Sequence, residues 1–185
     1  MTLSSLFEMT SESLQVDKTQ MKETHKVAVV MGSDSDLETM QPAIDILRNF
    51  EINVEVRVLS AHRTPFEMAA FSKEASSRGF KAIIAGAGGS AHLPGMVASM
   101  TSLPVIGVPV KSKALSGVDS ILSIAQMPGG IPVATVAIGG GLNAGLLAAQ
   151  ILAIFDQNLS RKIQNYRQEM HDKVVDKDTY FSENL

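Results

Sequence analysis

The sequence contains no cysteine and no tryptophan, and aromatic residues make up only 5% of its 185 residues. Without cysteine there can be no disulfide, no thiolate-ligated zinc site and no cysteine nucleophile. The few aromatic rings offer little surface on which a flavin could stack. The chain has a net charge of −3 and lacks the basic stripe that nucleic-acid binding requires, so we expect no nucleic-acid partner.

Long apolar runs are absent as well. No run approaches the length of a membrane span. The N-terminus carries Glu8 and Glu12 and lacks the basic start of a secretory signal. These features predict a cytoplasmic protein without a membrane partner.

Charge is nearly missing from residues 82–155, where the charged side chains are Lys111, Lys113 and Asp119. The helices expected in this block span residues 94–100, 118–126 and 143–155 and are apolar or small-residue on nearly all sides. A helix at the surface of a monomer needs a polar stripe. A chain of this length cannot bury all of these helices, which predicts a homo-oligomer with extensive interfaces. The three charges themselves fit either site residues or ordinary loop charges.

Apolar runs alternate with helical patterns from Lys26 onward. Residues 26–31 form a continuous apolar run typical of a buried parallel strand, and the spacing after it predicts a helix over residues 36–50. Further strands are expected at residues 53–59, 81–85, 105–108 and 133–138, and further helices at 65–78 and 159–175. Strands that alternate with helices through short connections predict an α/β fold. We expect a three-layer αβα sandwich with a parallel sheet, of flavodoxin-like or Rossmann-like order.

Composition divides the chain into three parts. Residues 1–24 are rich in Ser, Thr, Glu, Met and Gln without a sustained apolar period, and we expect a disordered N-terminal extension there. Residues 25–175 are expected to form a single domain that includes the C-terminal helix. Residues 176–185 are expected to be a C-terminal tail.

Gly32-Ser33-Asp34-Ser35-Asp36 follows the first strand. Hydroxyls and the free N–H groups of a helix start can hold phosphate oxygens, and an Asp can accept hydrogen bonds from a ribose hydroxyl pair. Helix capping alone explains one of these residues. No Gly-Lys-Ser/Thr follows, and the three spaced glycines of the dinucleotide fingerprint are absent. The loop predicts phosphate or sugar binding.

Ser60-Ala61-His62-Arg63-Thr64-Pro65 follows the second strand. Thr64, Pro65 and Glu67 predict a helix start with a capping hydroxyl, a proline at the first position and a Glu three residues after the cap. His62 and Arg63 therefore lie at the edge of the sheet where ligands bind in open α/β folds. An imidazole beside a fixed cation suits proton transfer on a phosphorylated substrate.

The run Gly86-Ala87-Gly88-Gly89-Ser90-Ala91-His92 follows the third strand, and small residues there let a ligand approach the backbone closely. His92 alone is more typical of a structural role than of a catalytic one. Gly139-Gly140-Gly141 is a further candidate for close approach. We expect His25 and His171 to face solvent. With one His per motif and no carboxylate pair at ligand spacing, no metal site is predicted.

Several long motifs together resemble a known family. They closely resemble, in order and separation, the N5-carboxyaminoimidazole ribonucleotide mutases, the class I catalytic subunits of phosphoribosylaminoimidazole carboxylase. The resemblance covers residues 26–175. It rests on residues 30–36, 60–65, 85–95, 104–110, 115–120 and 126–133.

The resemblance implies a flavodoxin-like subunit that assembles into a homo-octamer. It implies interconversion of N5-carboxyaminoimidazole ribonucleotide and 4-carboxyaminoimidazole ribonucleotide in purine (IMP) biosynthesis, without metal, biotin or nucleotide cofactor. It also implies a functional link to the ATP-dependent synthetase that makes the substrate.

By motif, the resemblance makes His62 the catalytic general acid/base and Arg63 the phosphate-binding arginine. Ser33 and Asp36 match substrate-binding positions, and His92 matches a nearby structural or site histidine. The remaining positions that line the family's site are Gly32, Ser35, Ser60, Ala87, Gly88 and Gly89.

Three alternative functions stay open. A relative of the same fold class carboxylates aminoimidazole ribonucleotide directly with CO2, and those enzymes carry Lys-Gly where this chain has Arg63-Thr64. From the motifs alone, a phosphosugar isomerase is the next alternative. A flavodoxin-like nucleotide or flavin binding module is the non-enzymatic one.

Overall fold

The computed structural model describes residues 25–185, so the expected N-terminal extension at residues 1–24 lies outside the described part of the chain. Five strands form the sheet: β1 Lys26–Met31, β2 Asn53–Val58, β3 Phe80–Gly88, β4 Val105–Val110 and β5 Ala134–Thr135. The helices are α1 Leu37–Asn49, α2 Pro65–Glu74, α3 Leu93–Ala98, α4 Val118–Ala125, α5 Gly141–Ala153 and α6 Gln157–Asn184. A 3-10 turn, Asp34–Asp36, precedes α1.

The sheet is parallel throughout, in the order β2-β1-β3-β4-β5. This is the flavodoxin-like order, so the expected fold is confirmed. The carboxyl ends of β1, β2 and β3 are neighbours in this order, and each runs directly into one of the three polar or glycine-rich loops. The crevice where ligands bind in such folds therefore falls between these loops.

Two apolar cores pack on opposite faces of the sheet. Val27, Val29 and Met31 of β1 point toward α1, α5 and the first turns of α6. Ala28 and Val30, which alternate with them, point toward α2, α3 and α4. This period of two gives β1 an apolar residue at every position from Val27 to Met31 and places helices on both faces of the sheet.

Two strands extend beyond their predicted ends. β3 continues through Gly88 because its glycine-rich end pairs with residues up to Val110 of β4. β4 includes Pro109, although the strand was expected to end at residue 108. The Pro109 carbonyl accepts a hydrogen bond from Gly139 N–H, so its missing N–H lies on the side of β5, which pairs only with Ile106 and Gly107. The proline therefore removes no ladder hydrogen bond.

Two helices end more than two residues away from their predicted last residues. α2 ends at Glu74 rather than residue 78, and residues 75–79 form a turn in which the Glu74 carbonyl accepts from both the Arg78 N–H and the Ser77 hydroxyl. α6 was expected to end at residue 175 but runs to Asn184. The chain from Gln157 to Leu185 contains no Gly or Pro that would stop it. No helix within residues 25–185 is long and apolar enough to cross a bilayer.

The start of α2 is correctly predicted at Pro65, but Thr64 does not cap it. The Thr64 hydroxyl accepts from Ser60 N–H at 2.9 Å and donates to the Ser60 carbonyl at 3.2 Å. The side chain closes the turn in front of the helix and leaves the first N–H groups of α2 without a side-chain cap.

Candidate active site

The three loops at the carboxyl ends of β1, β2 and β3 enclose a pocket of about 430 Å³. Every residue predicted for the site lines this pocket. These residues are Gly32, Ser33, Ser35, Asp36, Ser60, His62, Arg63, Ala87, Gly88, Gly89 and His92. The structure thus brings the predicted residues together, and the role of each residue remains a proposal.

The first loop is organised as a capping box. Ser33 Oγ accepts from Ser35 N–H at 3.4 Å, and Asp36 Oδ2 accepts from Ser33 N–H at 3.1 Å. Capping therefore explains both Ser33 and Asp36, one residue more than sequence reasoning allowed. The loop is also tied to the sheet, because Gly32 N–H donates to the Gly86 carbonyl at 3.2 Å.

Two carboxylates of this loop differ in environment. The Asp36 side chain is buried, and this burial raises the pKa of its carboxyl, although hydrogen bonds from Ser33 and Gly32 act in the opposite direction. Asp34 is exposed, and hydrogen bonds from Ser33 and Ser35 lower the pKa of its carboxyl. Asp36 thus presents a desolvated oxygen acceptor at the pocket, whereas Asp34 stays solvated.

The second loop holds Arg63 across the mouth of the pocket. Arg63 N–H and Nε–H donate to Ser60 Oγ at 3.2 and 3.4 Å, and Arg63 Nη2 donates to the Gly32 carbonyl at 3.0 Å. The guanidinium is exposed and bridges the first and second loops. A fixed cation beside the hydroxyls of Ser33 and Ser35 is suited to hold a phosphate.

The third loop is a tight turn with left-handed backbone. Gly89 has φ +70° and Ala91 has φ +35°, an uncommon conformation for a residue with a Cβ. Gly88 lies close to β4, since a Cβ on it would meet the Val110 carbonyl oxygen at 3.4 Å. Gly86 does not line the pocket, because it faces the side chain of Met40 in α1.

This turn brings His92 to His62. His62 Nε2 and His92 Nδ1 are 2.7 Å apart, and the two rings meet edge to face at an angle of 79°. One nitrogen carries the hydrogen and the other supplies the lone pair, so the bond requires at least one neutral imidazole. The pair can therefore pass a proton from one ring to the other within the pocket. No local pattern in the sequence indicated this contact, because the two residues are 30 positions apart.

A sequence model of the AIR carboxylase family matches residues 26–173. The chain belongs to the AIR carboxylase family. Curated relatives named N5-carboxyaminoimidazole ribonucleotide mutase share its sequence over most of both chains. The relative from Synechocystis is 60% identical over 82% of this chain and 86% of its own, and that from Bacillus subtilis is 58% identical over 81% and 94%.

Solved structures of the family agree with the fold. PurE of Treponema denticola superposes with a TM-score of 0.77 at 31% identity, covering 84% of this chain and 97% of the PurE chain. Because the match includes nearly all of that structure, this AIR carboxylase family member shares its whole subunit fold.

Four residues that line the pocket of this family member were not among the predicted site residues. The pocket is also lined by Ser112, which follows β4, and by Ala61, Ala91 and Leu93. Ala61 and Ala91 lie inside the recognised motifs. Ser112 lies beyond the carboxyl end of the strand beside β3, so only the strand order could have indicated it.

Other candidates have structural explanations. Asp119 Oδ1 accepts from Ser112 Oγ at 2.7 Å, which ties together the loop after β4. Gly141 packs against the backbone of α1, where a Cβ would overlap the Thr39 carbonyl oxygen. At Gly141, the close approach predicted for residues 139–141 therefore serves helix packing, whereas nothing lies within 4 Å of a Cβ position on Gly139.

The prediction that His25 faces solvent is wrong, whereas His171 is exposed as expected. His25 is half-buried, and its Nε2 lies 2.8 Å from Asp156 Oδ2, at the start of α6. Among residues 25–185, no group of three or more His, Asp or Glu side chains is arranged to hold a metal ion.

Proposed function

We propose that this protein interconverts N5-carboxyaminoimidazole ribonucleotide and 4-carboxyaminoimidazole ribonucleotide in purine biosynthesis. One observation carries the proposal: a histidine pair, a phosphate-competent arginine and a wall of small residues converge on one pocket. Membership of the AIR carboxylase family and the identity of 54–60% to relatives named for this reaction or for the carboxylase support it.

His62 is proposed to move a proton in both halves of the reaction. Protonation of the exocyclic carbamate nitrogen breaks its bond to the carboxyl carbon and releases CO2, leaving an electron-rich aminoimidazole. The neighbouring ring carbon then forms a bond to that CO2 and loses its own proton to restore aromaticity. One proton is delivered and one is recovered, so the enzyme returns to its starting state.

The glycine wall is proposed to retain the CO2 between the two halves. Ala87, Gly88 and Gly89 present little more than backbone to the pocket. A small molecule held against this wall stays beside the ring carbon, so a rare encounter becomes an intramolecular step. Arg63, Ser33 and Ser35 are proposed to bind the phosphate, and Asp36 the ribose.

We propose in addition that the protein is a cytoplasmic homo-octamer. Many apolar side chains remain exposed on the single subunit, among them Met96, Val118, Leu122, Leu142, Ile154 and Phe155. Patches of this kind in one chain are typical of subunit interfaces. Light scattering on the purified protein tests the octamer. The proposed partner in metabolism is the ATP-dependent synthetase that supplies the carbamate.

A turnover assay with two substrates tests the function. Purified protein should convert N5-carboxyaminoimidazole ribonucleotide without added bicarbonate, and 13C-bicarbonate in the buffer should not label the product. Chelator should leave the rate unchanged, because the proposed steps use no metal. Turnover of aminoimidazole ribonucleotide with bicarbonate, but not of the carbamate, would replace this proposal by direct carboxylation.

A further inference from the structure

One fully buried serine contacts the turn that forms the back of the pocket. Ser120, in the first turns of α4, has no exposed surface. Its Oγ accepts from Gly89 N–H at 2.9 Å and donates to the Val110 carbonyl at 2.7 Å. A single hydroxyl thus joins the glycine turn after β3 to the end of β4.

Gly89 depends on this hydrogen bond for its position. It has no Cβ, its φ of +70° lies in the left-handed region, and no atom lies within 4 Å of where a Cβ would be. Side-chain packing therefore does not fix it. A second hydrogen bond from α4 to Gly89 is long, 3.5 Å from Ser123 Oγ to the Gly89 carbonyl oxygen.

The turn that Ser120 holds leads directly to His92. Ala91 follows at φ +35°, and its N–H makes a long hydrogen bond of 3.4 Å to the Gly88 carbonyl. Local backbone contacts alone thus constrain this strained turn weakly. His92 is the next residue, and its imidazole meets His62 at 2.7 Å.

Ser120 is itself held in place by the side chain of Asp119. Its N–H donates to Asp119 Oδ1 at 3.0 Å, and the same oxygen accepts from Ser112 Oγ at 2.7 Å. Hydrogen bonds to the Asp119 side chain, that from Ser112 above all, lower the pKa of its carboxyl and keep it ionised as an acceptor. The start of α4 is therefore a rigid support behind the pocket.

We propose that Ser120 is a positioning residue, which fixes the Gly89 turn and thereby the contact between His92 and His62. Its kinetic consequence rests on the function proposed above. Ser120 touches no substrate, so its effect passes through the backbone of residues 89–92. The substrate phosphate is bound by other loops, and Ser120 therefore acts on turnover rather than on binding.

The variant Ser120→Ala removes both hydrogen bonds. The Gly89 N–H and the buried Val110 carbonyl each lose this partner, which costs about 1–3 kcal/mol, so we expect a folded but less stable protein. A looser turn misplaces His92 and the glycine wall, and displacements of about 1 Å at such sites cost up to about 100-fold in rate. We expect kcat to fall by about 10- to 100-fold with KM changed by less than about threefold.

Ser72→Ala is the matched control. Ser72 is also fully buried, and its hydroxyl donates to the Met68 carbonyl within α2 at 2.7 Å. Deleting this hydroxyl removes a buried hydrogen bond of similar length without touching the Gly89 turn. We expect native kcat and KM from Ser72→Ala at a similar change in unfolding midpoint.

A second readout does not depend on turnover. Protein labelled with 13C-histidine should show an NMR cross-peak between the His62 and His92 rings in the native chain and in Ser72→Ala. The cross-peak should weaken in Ser120→Ala. Should that variant fail to fold, Ser120→Cys takes its place, because sulfur fills the site but is a weak hydrogen-bond partner.

The outcomes separate two failures. A native protein that does not convert the carbamate overturns the proposed function, while the ring cross-peak still tests Ser120. A Ser120→Ala or Ser120→Cys protein with native kcat and a native cross-peak overturns the positioning role. A loss of kcat equal to that of Ser72→Ala overturns it as well.

Discussion

The imidazole rings of His62 and His92 share a hydrogen bond of 2.7 Å between Nε2 of the first and Nδ1 of the second. The two residues come from different loops, after β2 and after β3. Both rings are exposed to the pocket. This pairing gives the candidate general acid a neighbour that can accept or return its proton, and it connects the two loops by a side-chain hydrogen bond.

The first prediction concerns His62. His62→Asn keeps a polar side chain of smaller size but cannot shuttle a proton, so we expect kcat to fall by about 100-fold or more with binding of the ribonucleotide retained. Steady-state kinetics and calorimetric titration measure the two quantities. His171→Asn, at an exposed position on α6, should behave like the native protein. Near-native turnover by His62→Asn would show that another group carries the proton.

Arg63 should affect substrate binding more than turnover. Arg63→Ala removes the cation beside the hydroxyls of the first loop, and a charge-assisted contact to phosphate contributes about 1.5–3 kcal/mol. We expect KM to rise by about 10- to 100-fold with a smaller change in kcat. Arg57→Ala is the control, because Arg57 pairs with Glu55 on the outer strand β2. An unchanged KM in Arg63→Ala would remove the arginine from the phosphate site.

The Asp36 carboxylate should lower the stability of the fold at neutral pH while it supports substrate binding. Burial raises the folded-state pKa of Asp36 above its unfolded value, so stability is lost as pH rises between these two values and stays reduced at neutral pH. Asp36→Asn cannot ionise and keeps an oxygen acceptor for Ser33 N–H. We expect its unfolding midpoint at pH 7 to equal or exceed the native one, while its KM rises about tenfold.

The control for this prediction is Asp45→Asn, an exposed position on α1 where the carboxylate accepts from Gln41. It should change neither the midpoint nor KM. A midpoint of Asp36→Asn well below the native value at pH 7 would mean that the carboxylate stabilises the fold as an anion.

The contribution of Asp156 to stability should depend on pH in the opposite direction to that of Asp36. It caps α6 by accepting from Asn158 N–H and Leu159 N–H at 2.8 and 3.0 Å, and it bonds His25. The Leu159 N–H, and after it the His25 side chain, hold the pKa of the Asp156 carboxyl below its usual value. Its stabilisation is therefore complete above the unfolded pKa and lost as pH falls through the folded one.

Asp156→Ala should lower the free energy of unfolding by about 1–2 kcal/mol at pH 7. The loss should shrink below about pH 4, where the native carboxylate is protonated as well. Asp172→Ala, in the exposed part of the same helix, should cost much less. Denaturation at fixed protein concentration over a pH series measures both, and equal costs for the two variants would argue against the cap.

Gly141 should tolerate no side chain. A Cβ there would overlap the Thr39 carbonyl oxygen, and backbone of α1 cannot rotate away as a side chain can. We expect Gly141→Ala to lower the free energy of unfolding by about 1–3 kcal/mol. Gly129→Ala is the control, since nothing lies within 4 Å of its Cβ position. Equal midpoints for the two variants would show that α1 and α5 can separate without cost.

Most elements of the fold were predictable because their signals are local. The apolar run of β1 and the helical spacing of α1 gave both elements within about two residues. The misjudged strand ends depend on a neighbouring strand. β3 continues through Gly88 because β4 lies beside it, and Pro109 fits in β4 because β5 is short. The predicted division of the chain into a domain and two terminal parts stays a prediction.

It was also predictable that the three loops form one pocket. Each loop follows a strand, and the carboxyl ends of parallel strands meet at one edge of a sheet. The sequence by itself therefore determined which chemical groups reach that edge: an imidazole, a guanidinium, hydroxyls and bare backbone. These groups follow from residue type and from position relative to a strand, both of which are local properties.

Only the tertiary structure decided which of these groups touch. It joined His62 to His92, buried Asp36, diverted the Thr64 hydroxyl to Ser60 and placed Ser120 behind Gly89. Most of these contacts join residues far apart in the chain, and even the local ones depend on how a turn closes. The order of the strands and the packing of α4 determine these contacts, and no local pattern in the sequence predicts that order or that packing.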